Sequence, residues 1–526
     1  MNDFNWDFPY ASGRMPVFAR NVAATSQPLA AQAGLQMLLR GGNAVDAAIA
    51  TAIALAVVEP TSNGIGSDAF AQVWNGELHG LNASGRAPKA WNPARFAGRS
   101  EMPLGGWDSV TVPGAVSGWV ALSQRFGALP FADLFEPAIR YARDGFAVSP
   151  LTAHAWNRAQ NAYRAHSEWT RHFCPNGRAP SVGETFRSID QARTLELIAQ
   201  TRGEAFYGGA LAQQMVEDSK ANGGALTLCD LDEHRADWVT PLGIDYRGHT
   251  LHEIPPNGQG LAALIALGIL ERSPIHECPL DGADWLHLGI EAMKLGFADV
   301  NRFLADAKSM EIDATRFLAP DYLDERAKLI DPKQARDPGY GVPARGGTVY
   351  LCCADASGMM VSLIQSNYYG FGSGVVVPGT GISLQNRGFG FTLEAGHPNE
   401  VGGGKRPLHT ILPGFVTKNG APFLSFGVMG GPMQPQGHVQ MMLRLVDGRQ
   451  NPQVACDAPR WRVLRGRQVS LEAGFDPRVL AQLRQRGHEI VESELWGFGG
   501  AQLIAKQDGG YCAASDSRKD GQAVGF

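Results

Sequence analysis

The tripeptide Gly346-Gly347-Thr348 is where residue types and spacing in this sequence suggest covalent chemistry. A threonine hydroxyl is a weak nucleophile until a base takes its proton. Cleavage of the peptide bond just before Thr348 would supply that base. The new α-amino group, with an unperturbed pKa of about 8, would sit beside its own side-chain oxygen. Gly347 gives the scissile bond room to distort, and a strand beginning at Thr348 would hold the new terminus rigidly. This feature also has a plainer reading, since Gly-Gly-Thr opens ordinary strands.

The elements that would position these groups follow from periodicity and punctuation. Thr25-Ser26-Gln27-Pro28 predicts a helix start, with the helix running through Leu38 and stopping at Gly41-Gly42. Asn43 then caps a second, alanine-rich helix ending near Glu59-Pro60, and close-packing alanines place this pair in the interior. Strands are expected at Phe70–Trp74 and Leu78–Leu81 around an Asn75-Gly76 turn. Phe131 to Arg202 reads as mainly helical, with a loop around Cys174–Gly183. Further helices are predicted at Ala210–Lys220, Gly260–Leu270 and Trp285–Phe303, with a β-like stretch at Leu242–Glu253. In the last helix Asp299 and Asn301 interrupt the apolar stripe and are expected to face solvent or a site. Residues 305–347 form a proline-punctuated tract that ends in a mobile hinge. Beyond it the pattern turns to β, with strands predicted at Thr348–Ala354, Met359–Gln365, 382–386, 389–393, 412–417, 423–428, 468–471, 488–492 and 500–505, and helices at 432–446 and 477–486.

Composition sets the class. The chain has 526 residues, 44% hydrophobic and only 18% charged, with 64 glycines. That balance excludes disorder, coiled coils and helical solenoids, and it suits a compact enzyme with many tight turns. A net charge of -5 without a Lys/Arg block speaks against nucleic-acid partners. The longest apolar run, Ala44–Val58, contains Asp46 and is shorter than the roughly 20 residues a membrane span needs. The N-terminus lacks a basic segment followed by an apolar one, so a soluble, cytoplasmic protein is expected. The seven cysteines are widely spaced without a CxxC, and the histidines form no HExxH. Neither a disulfide framework, a metal nor a cofactor is expected. Gly370–Gly374 and Gly402-Gly403-Gly404-Lys405 do not match dinucleotide or phosphate loops, and Lys405 and Arg406 are expected to be structural ion-pair partners. Asp516 and Arg518 read as a buried pair that anchors the C-terminal tail.

Across nearly its whole length the sequence resembles the gamma-glutamyltranspeptidase family of N-terminal-nucleophile hydrolases. The segments that carry this are AATSQPLAAQAGLQMLLRGGNAVDAAIATAIALAVVEP and SNGIGSDAF, then VPGAVSGW, IPPNGQG and EAMKLGFADVNRFLAD, then GGTVYLCCADASGMMVSLIQSNYYGFGSG, GKRPLHTILPGF, FGVMGGPMQPQGH and DAPRW. The resemblance implies an α+β fold, a four-layer αββα sandwich. It implies a precursor that cuts itself between Gly347 and Thr348 into a large subunit, 1–347, that is helix-rich with part of the sheets, and a strand-rich small subunit, 348–526, with the nucleophile at its new N-terminus. The two chains would stay associated through one core, with a dimer of such heterodimers as the assembly considered. Thr348 falls on the family's nucleophile, Ser366 on the second threonine that hydrogen-bonds it and helps processing, and Gly430-Gly431 on the oxyanion glycines.

Several positions depart from the family's gamma-glutamyl pattern. The arginine that pairs with the substrate α-carboxylate falls on Ser84, with Arg86 two residues on. The acidic residue for the α-amino group falls on Gly390, and the glutamine before it on Arg387. The asparagine near the nucleophile is Tyr368, the serine pair is His409-Thr410, and the histidine two after the nucleophile is Tyr350. Arg86, Tyr368, Arg387, His409 and Thr410 are therefore the expected substrate contacts. They favour a small anionic amide over a substrate with an α-ammonium group. The branch of the family favoured on this ground hydrolyses oxamate to oxalate and ammonia, in purine or allantoin breakdown. A gamma-glutamyl hydrolase or transferase, a broader acylase, and an inactive scaffold remain the alternatives.

Overall fold

The computed structural model describes residues 10, 13–338, 347–492 and 495–526. Two antiparallel seven-stranded sheets lie face to face. One, the Thr348 sheet, runs in the order Gln522–Gly525, Val22–Thr25, Gly347–Ala354, Met360–Tyr368, Asp68–Trp74, Leu78–Ala83, Asp237–Val239. The other, the Gly430 sheet, runs Val17–Ala19, Gly510–Ser515, Gly500–Gln507, Ala421–Met429, Gly414–Lys418, His249–Glu253, Leu242–Tyr246.

Side-chain alternation along the strands builds the layers. From the strand Gly347–Ala354, Val349, Leu351 and Cys353 pack against a helical layer that includes Ala44–Val58. Tyr350, Cys352 and Ala354 point the other way, into a core shared with Phe415, Ile504 and Tyr511 of the facing sheet. On the far side of that sheet Val416, Leu424, Phe426 and Leu503 pack under the helices Leu261–Glu271 and Ala283–Phe303. Three apolar layers between four structural layers give the αββα sandwich that the resemblance implied.

Local chemistry explains the predicted helices. Pro28–Leu39 begins after Gln27, whose side chain accepts from Leu29 N and Ala30 N. Ala44–Val58 begins with a capping box in which Asn43 accepts from Val45 N and Asp46 N while Asp46 accepts from Asn43 N. Every residue of that helix is buried, as its alanines required. Among the described residues no helix is long and apolar enough to cross a membrane.

Three sequence expectations are corrected. Residues 389–393 do not form a strand, because Arg387–Gly390 turns as a 3-10 segment in which Gly388 lies against Trp91 and the Ser109 carbonyl with no room for a Cβ. Asp299 is buried and bonded to Arg326 at 2.9 Å rather than facing solvent or a site. Among the described residues Lys405 has no ion-pair partner and its ammonium donates to the carbonyls of Pro398 and Glu400, whereas Arg406 does pair with Asp237 at 2.6 Å. Both sheets take strands from before and after Gly347. The hinge expected at the end of the proline-punctuated tract falls on 339–346, outside the described residues. Upstream of it the tract is docked, with Asp331 O bonded to His287 Nε2 at 2.8 Å and Ala335 N donating to Arg486 O at 2.7 Å.

The tail anchor near the C-terminus is present, with a wider set of partners. Asp516 is bonded to Arg460 at 2.5 Å and to Arg518 at 3.1 Å, and it accepts from Ala501 N. Burial alone would raise its carboxyl, but Arg460 and Arg518 outweigh it and hold the group down to about 2. Because this is below the unfolded value of about 3.9, its contribution is complete at neutral pH and disappears as pH falls toward about 2. Asp516→Ala is expected to lower the unfolding free energy by about 3–5 kcal/mol, since it strands a buried guanidinium. Urea unfolding checks this, and a loss that does not shrink on acidification would remove Asp516 as its source.

Candidate active site

Thr348 sits at the start of its strand, with Gly347 opposite Tyr368 and Val349 opposite Gln365. The neighbouring strand therefore has one extra residue here, and Ser366 and Asn367 together oppose Thr348. Such a bulge re-aims a side chain, and here it turns the Ser366 hydroxyl onto the Gly347 carbonyl oxygen at 2.7 Å. Tyr368, which follows the bulge opposite Gly347, has a φ of 79°, a left-handed conformation costly for a bulky side chain. Its N–H donates back to Ser366 Oγ at 2.8 Å.

The Thr348 hydroxyl lies 2.8 Å from the Gly347 carbonyl oxygen and 3.3 Å from Ser366 Oγ. Gln434 Nε2 donates to Thr348 Oγ1 at 3.3 Å, and its Oε1 accepts from Leu412 N at 2.8 Å. With the chain uncut, Thr348 is only 2% exposed and Ser366 is fully buried.

Gly430 and Gly431 follow the central strand Ala421–Met429 of the facing sheet and precede the helix Met433–Met442, which carries Gln434. Their φ angles of 118° and 60° are ones that glycine adopts easily. Their carbonyls accept from Met433 N and Gln434 N, and Gln259 Nε2 also bonds the Gly431 carbonyl at 3.0 Å. Among the described residues neither glycine's N–H has a hydrogen-bond acceptor.

Arg387 reaches the same cluster from its 3-10 turn. Nη2 donates to Ser366 Oγ at 3.3 Å and Nη1 to Thr410 Oγ1 at 2.8 Å, while the guanidinium lies over the Tyr368 ring at 4.1 Å. Nε has no partner. The side chain is fully buried, and among the described residues no carboxylate lies within salt-bridge distance of it. Burial lowers its pKa to about 10, against the pull of Tyr368 and Asp68, so it remains a cation at neutral pH. Tyr369 and Phe389 stand edge to face at 5.5 Å and extend the aromatic wall begun by Tyr368.

Two expected contacts have other partners. His409 Nε2 lies 3.0 Å from Asp68 Oδ2, and Ile411 N approaches its Nδ1 at 3.5 Å, which fixes a neutral ring with its proton on Nε2. Burial, with Arg387 and Arg406 nearby, pushes the His409 pKa well below the usual range. His409 thus meets the site through Asp68, whose Oδ1 accepts from Gly85 N and Gly114 N. Arg86 is bonded to Asp306 at 3.1 Å and to the Gly404 carbonyl at 3.3 Å, and none of these bonds reaches the Thr348 cluster. Ser84 is bonded to Asn82, and Tyr350 is buried between the sheets with its hydroxyl on Ser362. The structure thus gathers Gly347, Thr348, Ser366, Tyr368, Arg387 and Thr410 into one bonded cluster. Gln434, which sequence reasoning missed, joins the cluster to the Gly430-Gly431 turn. Its signal in the sequence is the row of polar residues Gln434, Gln436, His438 and Gln440 on a helix that is buried throughout.

One buried group elsewhere has the composition of a metal site. The ligand atoms of His287, Glu291 and His488 lie within 4.8 Å of one another. The Lys294 ammonium already sits 2.6 Å from Glu291 and supplies the positive charge that the carboxylate needs. This cluster fits a salt-bridged clamp on the docked tract better than an ion site.

The Asp68 carboxylate accepts three buried donors, so Asp68→Ala is expected to cost at least about 3 kcal/mol of unfolding free energy. Urea unfolding measures this, and a cost below about 0.5 kcal/mol would remove the Asp68–His409 pair as a structural element.

A family model described as Gamma-glutamyltranspeptidase matches residues 30–526. The chain is 36% identical over 512 residues to the Glutathione hydrolase-like YwrD proenzyme of Bacillus subtilis (strain 168), covering 95% of this chain and 97% of that protein. It is 35% identical over 531 residues to the Oxamate amidohydrolase proenzyme of Klebsiella pneumoniae subsp. pneumoniae, covering 97% and 99%. Among solved structures, a cephalosporin acylase from Bacillus halodurans superposes with a TM-score of 0.95 at 48% identity, covering 99% of both chains.

Proposed function

The chain belongs to the gamma-glutamyltranspeptidase family, and from that premise we propose that Thr348 is its nucleophile and that it hydrolyses a small amide bearing a free carboxylate, with oxamate as the favoured substrate. The family's members of this kind are N-terminal-nucleophile amidohydrolases made as proenzymes. In this reading the Gly347–Thr348 bond is cut first, giving chains 1–347 and 348–526. The freed Thr348 amine then takes the hydroxyl proton, and Oγ1 attacks the amide carbon of the substrate. Gly430 N–H and Gly431 N–H stabilise the oxyanion. As the C–N bond breaks, the proton passes from the Thr348 amine to the departing nitrogen and ammonia leaves. Water then hydrolyses the threonyl ester, giving oxalate and the free hydroxyl.

The observation that carries the substrate class is Arg387, a buried cation next to the Thr348–Ser366 pair; among the described residues its Nε has no partner and no carboxylate lies within salt-bridge distance, Asp68 acting on it only from farther away. A carboxylate on the substrate would supply a counter-charge in direct contact. Gly390 supports the same reading from the opposite side. A Cβ there would meet the Leu408 carbonyl oxygen at 2.6 Å, so the acidic residue that gamma-glutamyl substrates require has no room at this position. The oxamate amidohydrolase relative agrees with this choice. A broader acylase is the second reading. The aromatic wall of Tyr368, Tyr369 and Phe389 favours it, as does the acylase structure at 48% identity.

On a denaturing gel the purified protein is expected as two bands of about 37 and 19 kDa, in proportion to the residues on either side of the cut in a 56.4 kDa chain. Thr348→Ala is expected as one intact, inactive band. An intact wild-type band would favour an inactive scaffold, and undiminished activity in Thr348→Ala would remove Thr348 as nucleophile. Ammonia release is expected to be faster from oxamate than from glutamine or glutathione, and the reverse order would overturn the carboxylate reading of Arg387 and Gly390. Gln434→Leu, which deletes the donor to Thr348 Oγ1, is expected to slow turnover about tenfold, or roughly 1.4 kcal/mol.

A further inference from the structure

We infer that Arg387 has a second task, completed before any substrate binds: acting through Ser366, it positions and strengthens the hydrogen-bond donor that polarises the Gly347 carbonyl for self-cleavage. The inference rests on the proposal that the chain cuts itself at Gly347–Thr348.

Proton counting around Ser366 carries the argument. A serine hydroxyl has one proton and two lone pairs. Ser366 Oγ accepts from Tyr368 N at 2.8 Å and from Arg387 Nη2 at 3.3 Å, which uses both lone pairs. Its single proton is thereby committed to the Gly347 carbonyl oxygen at 2.7 Å. Thr348 cannot also donate to Ser366, so its proton follows the shorter of its two contacts, 2.8 Å to the same carbonyl oxygen. A hydroxyl that accepts from a guanidinium is a stronger donor in turn, and the effect grows in a buried site. Thr410 fixes the other end of the guanidinium at 2.8 Å, and the Tyr368 ring covers its face at 4.1 Å.

A second observation makes this donor necessary. Among the described residues the N–H groups of Gly430 and Gly431 have no acceptor, the Gly347 carbonyl included, so the scissile carbonyl does not use the pair assigned to amide hydrolysis. Self-cleavage therefore relies on a different donor set at the same nucleophile. Thr348 Oγ1 adds to the Gly347 carbonyl carbon, and the developing oxyanion is held by the Ser366 hydroxyl with Arg387 behind it. The C–N bond then breaks, the Thr348 hydroxyl proton ends on the freed amine, and an ester links Gly347 to Thr348 Oγ1. One water hydrolyses that ester, leaving a carboxylate on Gly347 and a free hydroxyl on Thr348. Arg387 touches neither the carbonyl nor the attacking oxygen, so it is a positioning residue.

The test follows cleavage of the full-length chain after a pulse of cell-free synthesis, read as conversion of the intact band into two. Arg387→Ala is expected to cut at least tenfold more slowly than wild type, and Arg387→Lys at an intermediate rate. Free guanidinium ion at non-denaturing concentration is expected to restore much of the loss in Arg387→Ala. Thr410→Val, which keeps the cation and removes one anchor, is expected to give a smaller slowing and serves if Arg387→Ala does not fold. Folding is checked by comparing urea unfolding of Thr348→Ala with that of the Thr348→Ala/Arg387→Ala double variant. Wild-type cleavage rates in folded Arg387→Ala, or in Thr410→Val where Arg387→Ala fails to fold, would overturn the inference. So would slowing that neither lysine nor guanidinium relieves, because that pattern marks a merely structural role. Failure of the wild type to cut, or cutting in Thr348→Ala, would instead overturn the proposed self-cleavage. Neither result depends on which amide the mature enzyme accepts.

Discussion

A single hydrogen bond, from the Ser366 hydroxyl to the Gly347 carbonyl at 2.7 Å, ties the geometry of the Thr348 cluster together. For it to form, the strand carrying Ser366 must hold an extra residue opposite Thr348, and Tyr368 must then turn through a left-handed conformation. That turn brings the Tyr368 N–H onto Ser366 and the Tyr368 ring over Arg387. Arg387 can be buried without a carboxylate in contact because an aromatic face and two hydroxyls share the work of solvation. The strained backbone and the buried charge are thus two sides of one arrangement.

The sandwich supplies the rigidity this arrangement needs. Thr348 starts a central strand of one sheet, and Gly430 follows a central strand of the other. Packing of Tyr350, Cys352, Phe415 and Ile504 between the sheets therefore sets how far the Thr348 hydroxyl stands from the glycine turn. Gln434 bridges the remaining gap, since its helix begins at the turn and its side chain ends on Thr348. Interior packing at native density holds such spacings with little slack.

What could be read in the sequence was what depends on local pattern. The capped helices, the alternating strands and the strand start at Gly347–Thr348 all rest on neighbours a few residues apart. Positions that depend on distant partners were harder. Asp68 and His409 meet across 341 residues, and nothing local marks either as the other's partner. Arg86 looked like a substrate contact by its place in the chain, yet Asp306, 220 residues away, takes its guanidinium. The segment after Arg387 imitates a strand because Phe389 and Phe391 alternate with glycines. The turn is imposed from outside, by Trp91 and Ser109 pressing on Gly388.

The mixed origin of the strands reaches beyond the site. Gln522–Gly525, the last strand of the chain, pairs with Val22–Thr25, which in turn pairs with Gly347–Ala354. A molecule severed at Gly347 would thus keep each sheet stitched from both pieces. Its assembly could run in only one direction. The intact chain folds as a single strand of polymer, with every contact intramolecular. Once cut and unfolded, the same contacts could re-form only by a meeting of two separate fragments, at a rate set by their concentration. The severed molecule would hold its architecture as an inheritance from its precursor, and its lifetime would be governed by how slowly it opens.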